Sequence, residues 1–286
     1  MTIAAGFMHK DGIVLCSDTQ QEEGTTKYNG PKAGAIDIPF GKIAFAFAGH
    51  ADFATTAIQA CGRALKEVPP DRTISVLAES VESEYRRLVF DHPDYGNDEN
   101  IRYWLLISLW QQSTKSCSLW VTQEHSLHSC FESFRAVGIG TDLANVLIRP
   151  FINDKLSELE TLTLMAFTMA RVKENVPGCG GVSQYIAMDN DGSTSSVMNI
   201  SLDEVERVSS LYDKAAHDLL LSMNMEDDAT YNRAAMGFIS QALVVRENWR
   251  RIRRTNPEVR RYLGRTKGEM SHPLPLPELL AKSGES

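Results

Sequence analysis

The sequence contains no run approaching the roughly 18 apolar residues that a membrane-spanning helix needs, so no membrane role is expected. It lacks the basic segment and long apolar core of a secretory leader: the opening apolar run breaks at His9-Lys10-Asp11. Nothing marks export, and a cytoplasmic location is expected. The five cysteines, Cys16, Cys61, Cys117, Cys130 and Cys179, are scattered, odd in number and form no C-x-x-C. Zinc is therefore not expected, and most read as small buried hydrophobes. An overall excess of base is also missing. A net charge of −8 argues against a chain devoted to nucleic acid. Repeats at solenoid periods are absent, and no metal or cofactor is expected.

What is present is ordinary globular material. The 286 residues are 43% hydrophobic and 23% charged, enough for a sizeable core in one or two domains. Thr2–Met8 and Ile13–Ser17 read as a hairpin turning at Asp11-Gly12. Thr19–Gly30 reads as a polar loop, followed by strands at Ala33–Ile38 and Lys42–Ala48. Two helices follow. The first, capped near Asp52, has Phe53, Ala57, Ile58, Cys61, Leu65 and Val68 on one face. The second turns Ile74, Leu77, Val81, Tyr85 and Leu88 inward. After a loop at Asp91–Asn100 come strands at Ile101–Gln111, Cys117–Thr122 and about Leu127–Phe134.

Helices are expected from Asp142 and over about Glu158–Lys173. A hairpin of Val182–Met188 and Thr194–Ile200 leads to a helix opened by a Ser201–Glu204 capping box. Strands arrive in hairpins rather than alternating with helices, so the sheets should be antiparallel or mixed. The expected fold is α+β, a four-layer helix–sheet–sheet–helix sandwich over 1–224. A helical basic extension is expected over 225–268 and a flexible tail over 269–286. Between Arg246 and Lys267, nine basic residues face two acidic ones. This local +7 leaves −15 for the rest of the chain. Such a run is usually a solvated helix face; its functional reading is docking onto the acidic body of a neighbouring subunit.

The opening stretch carries the chemistry. If Met1 is removed, Thr2 presents a hydroxyl and a free α-amine on one residue, nucleophile and base together. A terminal amine titrates near ~8, so it can accept a proton close to neutral pH.

Three segments, Thr2-Ile3-Ala4-Ala5-Gly6, Asp11 to Gln20 and Lys42 to Asp52, together resemble the proteasome β-type family of N-terminal-nucleophile hydrolases, in particular its bacterial homologues. The resemblance covers roughly Thr2 to Leu220 in element order. It implies that Thr2 is the nucleophile and Asp18 the acid ending the second strand. It implies that Lys32 is the lysine before the third strand, with Lys27 the other candidate in that loop. Gly49 is implied as the glycine whose N–H serves the oxyanion. A nearby ammonium favours a neutral amine and the developing alkoxide, and an acid orients that ammonium. The implied activity is a threonine-type endopeptidase in a self-assembled ring or spiral, acting on unfolded or peptide substrates, with an ATPase unfoldase as a possible partner. A non-catalytic scaffold subunit and an amidohydrolase for small amides are the alternatives on the same fold. The chain departs from the family pattern at Ile139, Val176 and Cys179, where polar groups are expected; Thr141 is the nearest hydroxyl to the first of these.

Overall fold

The computed structural model describes residues 2–23, 26–92, 102–123, 125–152, 155–197, 199–223 and 227–255. The first hairpin sets the architecture. Strands β1 (Ile3–His9) and β2 (Gly12–Asp18) are buried on both faces, as their nearly unbroken apolar sequences require. Ile3, Ala5 and Phe7 point to one side, and Ala4 and Met8 to the other. Each face therefore has its own cover.

The hairpin lies at the centre of a five-stranded antiparallel sheet. A second antiparallel sheet runs in sequence order from β5 (Ala33–Ile38) through β6 (Gly41–Gly49), β7 (Tyr103–Gln111) and β8 (Ser116–Gln123) to β9 (Ser126–Ser129). The first sheet is completed by β10 (Phe134–Gly138) beside β1, by β11 (Ser183–Asp189) beside β2, and by β12 (Thr194–Val197) at the edge beyond β11. Between the sheets, Ala4, Ile13 and Leu15 pack on Ala44, Ala46, Leu106 and Leu119. Small alanines line β6, with the larger Leu106 and Leu119 beside them on β7 and β8, and Ile13 and Leu15 of the first sheet pack against this uneven surface.

The outer layers are helical. α1 (Ala51–Ala64) and α2 (Thr73–Asp91) cover the second sheet through Ala54, Ala57, Ile58, Leu77 and Val81. On the opposite face α3 (Thr141–Ile148), α4 (Glu158–Asn175) and α5 (Asn199–Ser222) cover the first sheet. The result is the four-layer helix–sheet–sheet–helix sandwich expected from the hairpin order. α6 (Asp228–Thr255) packs on α5, with the Tyr212 and Phe238 rings 5.1 Å apart. It lies within the expected basic extension; residues 256–268 of that extension and the 269–286 tail fall outside the described residues.

Four expectations need correction. Thr19–Gly30 is not all loop. It folds as a hairpin of β3 (Gln20–Glu23) and β4 (Thr26–Asn29), whose polar residues pair with each other and with neither main sheet. The single strand around Leu127–Phe134 is two strands in different sheets, since the chain crosses from β9 to β10 between Cys130 and Ser133. α5 begins at Asn199, ahead of Ser201, and absorbs the end of the strand expected to reach Ile200. Such a capping box does form, but at Ser157 and Glu160, where it opens α4. Phe53 does not enter the α1 core; it stacks on His50 with centroids 4.4 Å apart and packs against His92. Among the described residues, no helix is long and apolar enough to cross a membrane.

Candidate active site

Strand register gathers the chemistry at one end of the sandwich. Thr2 directly precedes β1. Asp18 ends β2, where it pairs with Ser183 at the start of β11. Ile3 pairs with Gly138 at the end of β10. Lys32 precedes β5, and Gly49 ends β6 opposite Tyr103. Antiparallel pairing therefore places the beginnings of three strands beside the ends of three others.

Thr2, Asp18 and Lys32 meet there, exposed by 1%, 0% and 1% respectively. The Lys32 ammonium donates to Thr2 Oγ1 over 2.5 Å and to Asp18 Oδ1 over 3.0 Å. It also donates to the Gln20 carbonyl oxygen, so its three protons have three acceptors. The Thr2 hydroxyl in turn donates to Asp18 Oδ1. Asp18 is fixed from the other side: Gly180 N–H donates to Oδ2 over 2.9 Å and Ile3 N–H to Oδ1 over 3.3 Å. Burial pushes the Asp18 carboxyl above the usual carboxylate range, and the Lys32 ammonium and Gly180 N–H pull it part of the way back. Lys27, the other lysine of this loop, lies exposed on β4.

The supporting groups were not legible in the sequence. Gln184 Oε1 accepts from Lys32 N–H over 2.7 Å and Ala33 N–H over 3.2 Å, which holds the lysine backbone against β11. The Gly180-Gly181 turn is anchored by Lys173, which donates to the Gly181 carbonyl over 3.1 Å and to Glu206. Glu206 also accepts from the buried Tyr185 hydroxyl over 2.6 Å. Two glycines are required by close approach. Gly49 sits at φ +97°, and a Cβ there would lie 2.1 Å from the Arg102 carbonyl oxygen. Gly138 sits at φ +95°, and its Cβ would lie 2.2 Å from the Thr2 carbonyl oxygen. That carbonyl accepts from Ile139 N–H over 3.1 Å, so the β10 terminus clamps Thr2 in place.

The three departures have structural consequences. Ile139 is 39% exposed and lines the cleft. Thr141 also lines the cleft, but its hydroxyl donates to the Gly138 carbonyl over 2.6 Å rather than serving Thr2. Val176 packs against the helix-side core. Cys179 is buried, and burial, with Asp18 second, pushes its thiol up to about 12.

Thr2, Lys32 and Gly49 open onto a cleft of about 1040 Å³. Its walls mix apolar and charged side chains, among them Trp104, Val121, Arg102, Arg135 and Asp52. That is large enough for an extended chain segment. Among the described residues no three His, Cys, Asp or Glu side chains come together as a metal site. The arrangement can hold a hydroxyl beside a buried cation at the head of an open groove.

No protein-family model matches the chain, and no curated protein matches it. Solved structures do. The helical assembly of the Anbu complex from Pseudomonas aeruginosa aligns with a TM-score of 0.64 at 12% identity, over 80% of this chain and 99% of that one. Anbu, an ancestral beta-subunit, from Yersinia bercovieri gives 0.63 at 10% identity, over 79% and 99%. Anbu from Hyphomicrobium sp. strain MC1 gives 0.62 at 13%, over 79% and 99%. At these identities the likeness is one of fold: the chain has the α+β sandwich of the Anbu structures.

Proposed function

We propose that this chain is a proteasome-like subunit that cleaves peptide bonds with Thr2 as an amino-terminal nucleophile. The reading rests on one observation above all: the Thr2 hydroxyl lies 2.5 Å from the buried Lys32 ammonium, at the head of an open cleft. Removal of Met1 frees the Thr2 α-amine. That amine takes the hydroxyl proton as Oγ1 attacks the substrate carbonyl carbon. Lys32 stabilises the developing alkoxide, and Asp18 holds Lys32 in position. The oxyanion of the tetrahedral intermediate is received by the Gly49 N–H. Collapse expels the amine product, which takes the proton from the α-ammonium, and leaves an ester on Thr2. Water, deprotonated by the same amine, hydrolyses that ester. Subunits of this kind act within a self-assembled ring or spiral, and the helical assembly of the Pseudomonas aeruginosa neighbour supports self-association here.

Turnover of peptides and of small amides by wild type and Thr2→Ala tests the reading. The expected result is peptide cleavage that Thr2→Ala abolishes, with little turnover of small amides. Equal peptide turnover by Thr2→Ala would overturn it, and preferential turnover of small amides would move the assignment to an amidohydrolase. The scaffold reading draws on Ile139 and Cys179, which leave the amine without the polar neighbours the family pattern implies. Absence of turnover in the assembled protein after Met1 removal would favour it.

A further inference from the structure

The outer face of α6 carries an apolar stripe that packs into no core cluster of the described residues, flanked by Glu247, which accepts from Arg250 over 3.3 Å at the surface. Phe238 packs on Tyr212, and Trp249 packs against the helix-side core, which fixes the inward face. The outward face runs from Arg233 through Met236, Gly237, Ser240, Leu243 and Val244 to Glu247, stepping by three and four residues as in a helix–helix seam, and continues to Arg251 and Arg254. Met236 is 55% exposed, Leu243 48% and Val244 42%. Gly237 lies in mid-helix, where glycine costs roughly 0.5–1 kcal/mol relative to alanine. A Cβ at Gly237 would meet nothing within 4 Å, so no neighbour among the described residues calls for it. The solved neighbours are matched over 99% of their length by 79% of this chain, which leaves about a fifth of it without a counterpart in them.

We propose that α6 pairs with α6 of a second copy of this chain, antiparallel about a two-fold axis at Ser240. Charge selects this arrangement. About that pivot Arg233 faces the other copy's Glu247, and Met236 faces Val244. Leu243 fits over Gly237, where the missing side chain lets the helices approach, and the small Ser240 does not hold them apart at the axis. The acidic start of the helix, Asp227 and Asp228, meets the Arg251 and Arg254 end. A parallel, in-register pairing would instead set Arg233, Arg250 and Arg254 against their own copies, which like charges oppose. The pairing is isologous, so it closes as a dimer and can join two larger assemblies of the sandwich.

Disulfide trapping in the intact chain tests it. Ser240→Cys, on the axis, should yield a covalent dimer on mild oxidation, with the linked peptide identified by mass spectrometry. Arg233→Cys alone should not, because its two copies lie roughly 21 Å apart along the axis at ~1.5 Å per residue. Mixed Arg233→Cys and Glu247→Cys chains should cross-link to each other. Self-linking of Arg233→Cys would overturn the antiparallel arrangement, and failure of Ser240→Cys to link would overturn the pairing. Sedimentation provides a second readout. Arg233→Glu or Glu247→Arg should each weaken the dimer roughly tenfold, and the two together should restore it. Failure of that restoration would also overturn the pairing. Thr2→Ala should leave every one of these results unchanged, so the pairing and the peptidase reading stand or fall separately.

Discussion

Replacing Lys32 with methionine separates the chemistry of the site from its contribution to the fold. Lys32 and Asp18 form a buried pair at 3.0 Å with 1% and 0% exposure. Methionine keeps most of the side-chain volume and removes the charge, leaving Asp18 buried without a cation. Breaking a buried pair from one side costs about 3–5 kcal/mol. The cost should depend on pH. Burial already holds the Asp18 carboxyl above its usual range, and loss of Lys32 raises it further. A carboxyl raised in the folded state favours folding at low pH, and this advantage disappears as pH rises through the folded value. Each unit of added shift corresponds to about 1.4 kcal/mol. Lys32→Met should therefore lose most at pH 8 and much less at pH 5, measured by urea unfolding at fixed protein concentration. Adding Asp18→Asn removes the stranded charge while keeping an acceptor for Gly180 N–H, so the double variant should recover most of the stability. Activity should not recover. Both variants lose the donor to Thr2 Oγ1, and a loss of about 10²–10³-fold in kcat is expected, as for removal of one oxyanion donor. If the single variant were as stable as wild type at pH 8, the pair would not hold the site together. If it kept its rate, Lys32 would not act on Thr2.

Three other outcomes follow from the same geometry. His9 is held near a pKa of about 4 by burial and then by Lys10, with Nδ1 accepting from Asp11 N–H over 3.3 Å. The unfolded chain takes that proton first, so stability present above pH ~6.5 falls by about 3 kcal/mol as pH drops toward 4, and His9→Asn should flatten that part of the urea-midpoint profile. Gly138→Ala places a Cβ 2.2 Å from the Thr2 carbonyl oxygen at φ +95°, and should cost at least about 1–3 kcal/mol along with peptidase turnover. Unchanged turnover would show that the β10 terminus does not position Thr2. Cys179, with its thiol pushed up to about 12, should alkylate far more slowly in the native protein than in urea. Equal rates by peptide mass spectrometry would contradict its burial.

The fold is legible where apolar patterning is strong, and the candidate site only in the first fifty residues. β1, β2, β5 and β6 lie within a residue or two of their expected limits because their apolar runs and turn glycines are local signals. The β3–β4 hairpin is not legible because its residues are polar and its strands join neither main sheet. β9 and β10 read as one strand because nothing in the composition of Cys130–Ser133 marks a crossing between sheets. The Ser-x-x-Glu pattern recurs in this chain, and propensity alone does not say that the one at Ser157 caps a helix while Ser201 lies inside one. In the site, Thr2, Asp18, Lys32 and Gly49 could be placed by order along the chain. Gln184, Gly180 and the Lys173–Glu206–Tyr185 network could not, since they reach the site from distant elements, Gln184 from 152 residues beyond Lys32. Glycine pairs and a glutamine opening a strand are too common to read as positioning groups before the register is known.

The proposed chemistry requires that Thr2 be a free amino terminus with a reactive hydroxyl. Intact-mass spectrometry of the purified full chain, before and after a threonine-directed covalent inhibitor, tests it most directly. The expected result is a starting mass short by one methionine, then a single adduct that peptide mapping places on Thr2 and that Thr2→Ala lacks. Retention of Met1, or a Met1-free protein that takes no adduct on Thr2, would contradict it.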